Sequence, residues 1–191
     1  MLETKRLRLR AWTPQDAAAL YEIAKDPRIG SPCGWPAHTS VENSLEIIQN
    51  VFASPECYAV CLKNHPEPVG CIEIISHERS NKASSAMECE IGYWLSMEHW
   101  GKGYIPEAVQ EALRHAFEDL NMETVWCGYY AGNEKSKRVQ EKAGFQYHHT
   151  EHNFMIKVLN EITVKLLDEI RDSFVTCMTR EDWQAQNKSH G

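Results

Sequence analysis

Two glutamates, Glu88 and Glu90, stand two positions apart in a run of strand-forming residues. By the period of a strand they share a face with Gly92 and Trp94. Carboxylates placed like this are candidate general bases for taking a proton from a nucleophile, and equally candidates for a structural hydrogen bond or a solvated face. A few residues on, Ser96 to Gly103 supplies polar and glycine positions suited to a turn, ending in Gly101-Lys102-Gly103. Pro106 and Glu107 then fall in the first turn of a helix whose apolar positions are Ala108, Val109, Ala112, Leu113, Ala116 and Phe117. The spacing predicts a helix over 105–120. Strand, glycine turn and helix together leave backbone N–H groups at the helix start without internal partners, where an anion binds. Glycines without Cβ let a phosphate approach the main chain, although a Gly-x-Gly also serves as a plain tight turn.

Other chemistries lack their patterns. Lys102 lies between the glycines and Tyr104 follows them, so there is no P-loop, and Pro106 occupies the place of the third glycine of a dinucleotide fingerprint. Seven scattered cysteines without a Cys-x-x-Cys pair read as reduced thiols rather than disulfides or a zinc site. Cys89 and Cys127 fall on expected core strands, which suits packing better than a covalent nucleophile. His148-His149-Thr150-Glu151-His152 lacks the His-Glu-x-x-His order of a metal helix. A net charge of -7 argues against a nucleic-acid partner. No apolar run is long enough to span a membrane, and the N-terminus lacks a signal-peptide core, so the expected location is cytoplasmic. The negative field either favours a cationic second substrate or serves solubility alone.

The remaining elements follow from patterning. Leu7, Leu9 and Ala11 alternate with Arg6, Arg8 and Arg10 as a half-buried strand with a basic outer face, either solvated or attracting phosphate. Thr13-Pro14-Gln15-Asp16 caps a helix through Ala24, residues 28–39 read as a loop, and Ser40 caps a second helix through Phe52. Trp35 in that loop either lines an acceptor pocket or plugs the core. Strands are expected at 57–62, 69–76, 86–95, 124–130, 145–152 and 173–179, with 124–130 parallel to 86–95 by the crossover rule. A helix over 134–143 closes on Gly144. Residues 154–172 match helix and strand templates comparably, and 180–191 reads as a tail in which Trp183 docks. One domain spans 1–191, its core about 2–153 and 173–179, with an insertion at 154–172 that is a cover, a dimer contact or an extension.

Glu90-Ile91-Gly92-Tyr93-Trp94-Leu95 leading into Trp100-Gly101-Lys102-Gly103-Tyr104, followed by Asn133-x-x-Ser136 and Gly144-Phe145, resembles the GNAT superfamily of acetyl-CoA-dependent N-acetyltransferases. Within it the chain resembles the ribosomal-protein (Rim-type) branch. Trp100 and Ile105 stand where the family signature commonly has Arg or Gln and a small residue. The resemblance implies an α/β (α+β) fold with a mixed, mostly antiparallel sheet splayed between its fourth and fifth strands, opening a slot for acetyl-CoA. It implies cofactor contacts from Trp94, Leu95, Ser96, Trp100, Gly101, Lys102, Gly103, Tyr104, Ile105, Pro106, Asn133, Ser136 and Lys137. Lys102, Lys135, Lys137 and Arg138 are the candidate cations at the slot. Glu90 is the first candidate base and Glu88 the second, Ser136 is the hydroxyl near the sulfur, and a main-chain N–H near Trp94 or Leu95 is the oxyanion donor. The expected reaction is direct acetyl transfer in a ternary complex to a primary amine, such as a protein N-terminus, by a monomer or homodimer. The alternatives are a polyamine or amino-sugar acceptor, or a non-catalytic acyl-CoA sensor.

Overall fold

The computed structural model describes residues 1–155 and 170–188. An eight-stranded sheet runs in the order β1-β2-β3-β4-β5-β6-β8-β7. Its strands are β1 (Leu2–Glu3), β2 (Leu7–Ala11), β3 (Cys57–Leu62), β4 (His65–Ser76), β5 (Glu88–Leu95), β6 (Thr124–Tyr130), β7 (Gln146–Met155) and β8 (Ile170–Thr179). The helices are α1 (Ala17–Ala24), α2 (Pro27–Gly30), α3 (Val41–Asn50), α4 (Tyr104–Arg114), α5 (Glu134–Ala143) and α6 (Arg180–Lys188). All strand pairs are antiparallel except β5 with β6.

That parallel pair holds for three positions only, Glu88 with Thr124, Cys89 with Val125 and Glu90 with Trp126. Beyond them β5 stays on β4 as far as Leu95 and β6 stays on β8 as far as Tyr130, so the two halves of the sheet part. The expected splay is therefore present; with the short β1 counted, it lies between the fifth and sixth strands. One core joins the sheet to α4, with Leu7, Leu9, Ile72, Ile91, Leu113, Phe117 and Val125 fully or almost fully buried. A second, on the opposite face, packs α1 and α3 through Leu20 and Ile48 onto Trp12, Ala59 and Trp94. The alternation of β2 is what splits its residues, since Leu7 and Leu9 are buried and Arg8 is exposed.

Local chemistry explains most boundaries. Thr13 and Asp16 close a capping box, and Arg10 grips the Asp16 carboxylate with two nitrogens at 2.7 and 2.8 Å. Ser40 accepts from the Asn43 N–H at the start of α3. Gly144, at φ +91°, ends α5 in the left-handed conformation.

Four expectations change. Within 28–39 the chain is helical at first, because Asp26 accepts from the Arg28 N–H and Pro27 takes the first position of α2, so Asp26-Pro27 starts a helix as well as ending one. Strand β4 begins at His65 and runs through Pro66 and Pro68, which the register shifts opposite Cys61 accommodate. The long helix ends at Arg114 and continues as a wider π-type turn, His115–Asp119, closed by the Leu120 N–H on the His115 carbonyl. The expected tail is α6: Thr179 and Asp182 bond reciprocally at its start, a Thr-x-x-Asp signal like that of residues 13–16, and Trp183 packs on Phe117 at 5.4 Å. Most of the 154–172 insertion lies outside the described residues.

Trp35 is half-buried, packs against the second core and does not border the cleft described below. Its ring fills the space over Gly30 and packs against His38 and Trp94. Burial there pushes the His38 imidazole down to about 4, with Nδ1 bonded to Ser44 Oγ at 2.8 Å. Below the ordinary value of 6.5 the unfolded chain binds a proton that the folded chain refuses, so stability falls as pH drops from 6.5 towards 4. The loss from this group is about 3 kcal/mol. Thermal melts at pH 7 and pH 4.5 should show a smaller acid loss for His38→Gln than for wild type; equal losses would remove His38 as the cause.

Candidate active site

The parting of β5 and β6 opens a cleft of about 940 Å³, walled by β5 and the glycine turn on one side and by β6 and the start of α5 on the other. Glu90, Tyr93, Trp94, Leu95, Trp100, Gly101, Gly103, Tyr104, Ile105, Pro106, Asn133 and Ser136 all border it. Residues more than forty positions apart in sequence are thereby brought onto one slot.

The turn is built for close approach. Gly101 and Gly103 have φ of +75° and +77°, and a Cβ on Gly101 would meet nothing within 4 Å. Gly103 caps α4, and Tyr104 and Ile105, whose N–H groups have no place in the helix's own bonding, border the slot. The helix start is tied down from the turn between β1 and β2, because Glu107 accepts from Thr4 Oγ1 and from the Arg6 N–H and Nε at 2.8 and 2.6 Å. Burial alone would raise the Glu107 carboxyl, but these bonds hold it below the usual carboxylate value. Arg6 also donates to the Lys102 carbonyl at 3.0 Å and lies over Tyr104. Its part in shaping this turn was not legible from the alternation of β2. Ile105 is 5 % exposed and packs in the main core, which absorbs its bulk.

The helix period decides which cations reach the slot. Lys135, Arg138 and Lys142 line it from one face of α5, and Lys135 Nζ sits 3.3 Å from the centre of the Trp100 ring across the opening. Lys137 points to a separate groove with Tyr129 and Phe145, and the Lys102 side chain does not border the cleft. Ser96 is also off the cleft, bonded through Oγ to His99 Nδ1 at 2.7 Å. Asn133 borders it with both ends of its amide engaged: Oδ1 accepts from the Ser136 N–H and Nδ2 donates to the Pro32 carbonyl, each at 3.1 Å.

The two candidate bases part company. Glu90 borders the cleft, where Oε1 meets Lys82 Nζ and Oε2 meets Ser80 Oγ, each at 2.7 Å. The pair is largely buried, with side-chain exposures of 12 % for Lys82 and 13 % for Glu90. Burial lowers the Lys82 ammonium, but Glu90 outweighs it and the net shift is upward. Its stem crosses Gly128 of β6, where an added Cβ would come within 2.7 Å of Lys82 Cε. Lys82 comes from the connection between β4 and β5, where the sequence offers no motif that would single it out. Glu88 lies off the cleft and accepts from the Ser84 N–H at 3.0 Å and Trp126 Nε1 at 2.8 Å. Burial raises the Glu88 carboxyl, and these donors bring it below its ordinary value.

Main-chain directions narrow the oxyanion donor. The Ser96 N–H donates to the Val69 carbonyl at 2.8 Å, so by the period of an antiparallel ladder Trp94 and Gly92 also face β4. Ile91, Tyr93 and Leu95 face the other way, where Cys127 Sγ reaches the Ile91 carbonyl at 3.2 Å and Trp100 Nε1 the Leu95 carbonyl at 2.8 Å. The N–H groups of Tyr93 and Leu95 thus point into the slot, and that of Trp94 does not. Cys127 is no nucleophile here, because burial pushes its thiol up to about 12. Among the described residues no group of His, Cys, Asp and Glu could hold a metal.

Residues 6–146 match the family model of the acetyltransferase (GNAT) domain. The chain belongs to the GNAT acetyltransferase family. A GNAT protein is an acetyl-CoA-dependent N-acetyltransferase. Among its relatives is the uncharacterized N-acetyltransferase YoaA of Bacillus subtilis, 28% identical over 151 residues that cover 76% of this chain and 82% of YoaA. The structure is similar to a GNAT-family acetyltransferase from Bacillus anthracis, with a TM-score of 0.75, 20% identity, and 94% and 98% of the two chains covered. Two further GNAT structures each give a TM-score of 0.71. One is a spermidine N-acetyltransferase from Vibrio cholerae in complex with CoA and spermine, at 17% identity, covering 93% of this chain and 98% of that one. The other is a ribosomal-protein-S5-alanine acetyltransferase from Vibrio fischeri, at 19% identity, covering 95% and 97%. No helix among the described residues is long and apolar enough to cross a membrane.

Proposed function

We propose that this GNAT enzyme acetylates an α-amino group, such as a protein N-terminus, by direct attack on acetyl-CoA in a ternary complex. The observation that carries this reading is the occupancy of Glu90, whose two oxygens are already engaged by Lys82 and Ser80. An acceptor in this cleft receives little help from a strong base. An α-amine with a pKa of about 7.7 to 8.0 is partly neutral near pH 7, whereas a lysine or polyamine nitrogen near 10.4 is neutral in roughly one molecule in a thousand. A ribosomal-protein acetyltransferase among the similar structures accords with this choice.

In this reading Gly101, Gly103 and the start of α4 hold the pyrophosphate, with Lys135, Arg138 and Lys142 adding positive charge. The amine nitrogen attacks the thioester carbonyl, whose developing oxyanion takes the Tyr93 or Leu95 N–H. The C–N bond forms and the C–S bond breaks; the nitrogen's surplus proton leaves to solvent or the Glu90 carboxylate, and the thiolate, steadied by Ser136 Oγ–H, takes a proton from solvent and departs as the thiol. Calorimetry with acetyl-CoA, followed by thiol release against N-terminal peptides, α-acetylated lysine peptides and spermidine, tests it. Turnover on free N-termini with at least tenfold preference is expected; preference for spermidine would overturn the acceptor class while leaving the transferase assignment intact.

A further inference from the structure

Gln140 is polar, 1 % exposed, and lies on α5 one turn beyond Ser136. Its Nε2 donates to the Gly128 carbonyl at 2.9 Å and to Ser136 Oγ at 3.1 Å, while its Oε1 accepts from Thr176 Oγ1 at 2.8 Å. The Gly128 carbonyl can only accept, so the nitrogen end of the amide faces it, and the second N–H falls on Ser136 Oγ at 3.1 Å, nearer than Tyr93 Oη at 3.5 Å. Ser136 Oγ is therefore an acceptor from Gln140, and its own proton has to point elsewhere. Tyr93 Oη stands 2.9 Å from Ser136 Oγ and 3.2 Å from the Ser136 carbonyl.

These contacts allow two arrangements. With Tyr93 donating to the Ser136 carbonyl, the serine proton rests on Tyr93 Oη. With Tyr93 donating to Ser136 Oγ, the oxygen accepts twice and its proton turns into the cleft. Burial holds the Tyr93 phenol well above its ordinary value, so it keeps its proton in either case.

We infer that Gln140 is a positioning residue: its amide fixes Ser136 Oγ as an acceptor, and a half-turn of the Tyr93 hydroxyl then aims the serine proton at the departing thiolate. The inference rests on the reading of Ser136 as the hydrogen-bond donor to sulfur. Neither the glycine turn nor the Asn133-x-x-Ser136 pattern marks Gln140, which reads in sequence as one more polar position of an exposed helix.

The test compares Ser136→Ala, Gln140→Met, Gln140→Glu and the Ser136→Ala/Gln140→Met pair. Each is checked for fold by thermal melting and for acetyl-CoA affinity by calorimetry before kcat is measured with an N-terminal peptide. Ser136→Ala should lower kcat about a hundredfold. Gln140→Met should lower it about tenfold, the rate equivalent of one hydrogen bond, with acetyl-CoA affinity within about twofold of wild type. Gln140→Glu, when protonated, keeps the bond to Gly128 and lacks the second donor, so it should show a similar loss. The double variant should lose no more than Ser136→Ala alone. If Ser136→Ala keeps wild-type kcat, the donor role of Ser136 is wrong. If it loses activity but a folded Gln140 variant does not, or if the two losses add, the positioning role of Gln140 is overturned. Should neither Gln140 variant fold, the side-chain amide resonance of Gln140 is compared between wild type and Ser136→Ala. A shift and faster exchange support the bond to Ser136, and an unmoved resonance overturns it.

Discussion

Gly103→Val is expected to weaken acetyl-CoA binding by about a hundredfold or more in calorimetry, with a thermal midpoint only a few degrees lower. Gly103 holds φ at +77° as the residue capping α4, a conformation that costs an L-residue roughly 1 to 2 kcal/mol and a β-branched one more. The added methyl groups also stand where a phosphate would meet the N–H groups of the first helical turn. Arg6 Nη2 would be 3.5 Å from the new Cβ, so the network from Arg6 through Glu107 to Thr4 has room to persist and the fold should survive. The milder Gly101→Ala, whose Cβ meets nothing within 4 Å, should weaken binding less. Wild-type affinity in Gly103→Val would place the phosphates elsewhere.

Lys82→Met should destabilise the protein by about 3 kcal/mol, because it strands the Glu90 carboxylate in a largely buried site. For a chain of this size that corresponds to a midpoint roughly 6 to 12 °C lower. Glu90→Gln should cost a comparable amount by stranding the ammonium, so a fall in activity for that variant alone does not identify a base. The informative protein is the Lys82→Met/Glu90→Gln pair, which removes both charges and should recover most of the lost stability. If its kcat on N-terminal peptides stays within about threefold of wild type, the ion pair is structural and the acceptor amine arrives neutral. A fall of a hundredfold in a stable double variant would restore Glu90 as the base, and additive stability losses would show that the two residues do not act as a pair.

Both predictions turn on side chains that differ in how visible they are from sequence. Gly101, Gly103, Asn133 and Ser136 stand out because their types have local backbone meaning, and the segments holding them fold close to their expected bounds. Lys82 and Gln140 have no such meaning. One lies in a polar link and the other on a helix that reads as solvated, and each becomes buried only when a distant strand is laid against it. Arg6 is intermediate, since its place on a strand edge was evident but its grip on the glycine turn was not.

The sequence by itself determined the strand, the glycine turn and the helix that follows it, the second helix with its Asn and Ser, and the parallel crossover joining them. Each of these is written in short-range patterning: periods of 2 and 3.6, caps, and positive-φ glycines. Tertiary structure alone decided that the β5–β6 pairing stops at Glu90, that Glu88 stays off the resulting cleft, and that Glu90 is bound to Lys82. It likewise decided which cations face the slot and which main-chain N–H groups point into it, because those directions depend on how strands and helices far apart in sequence register against one another.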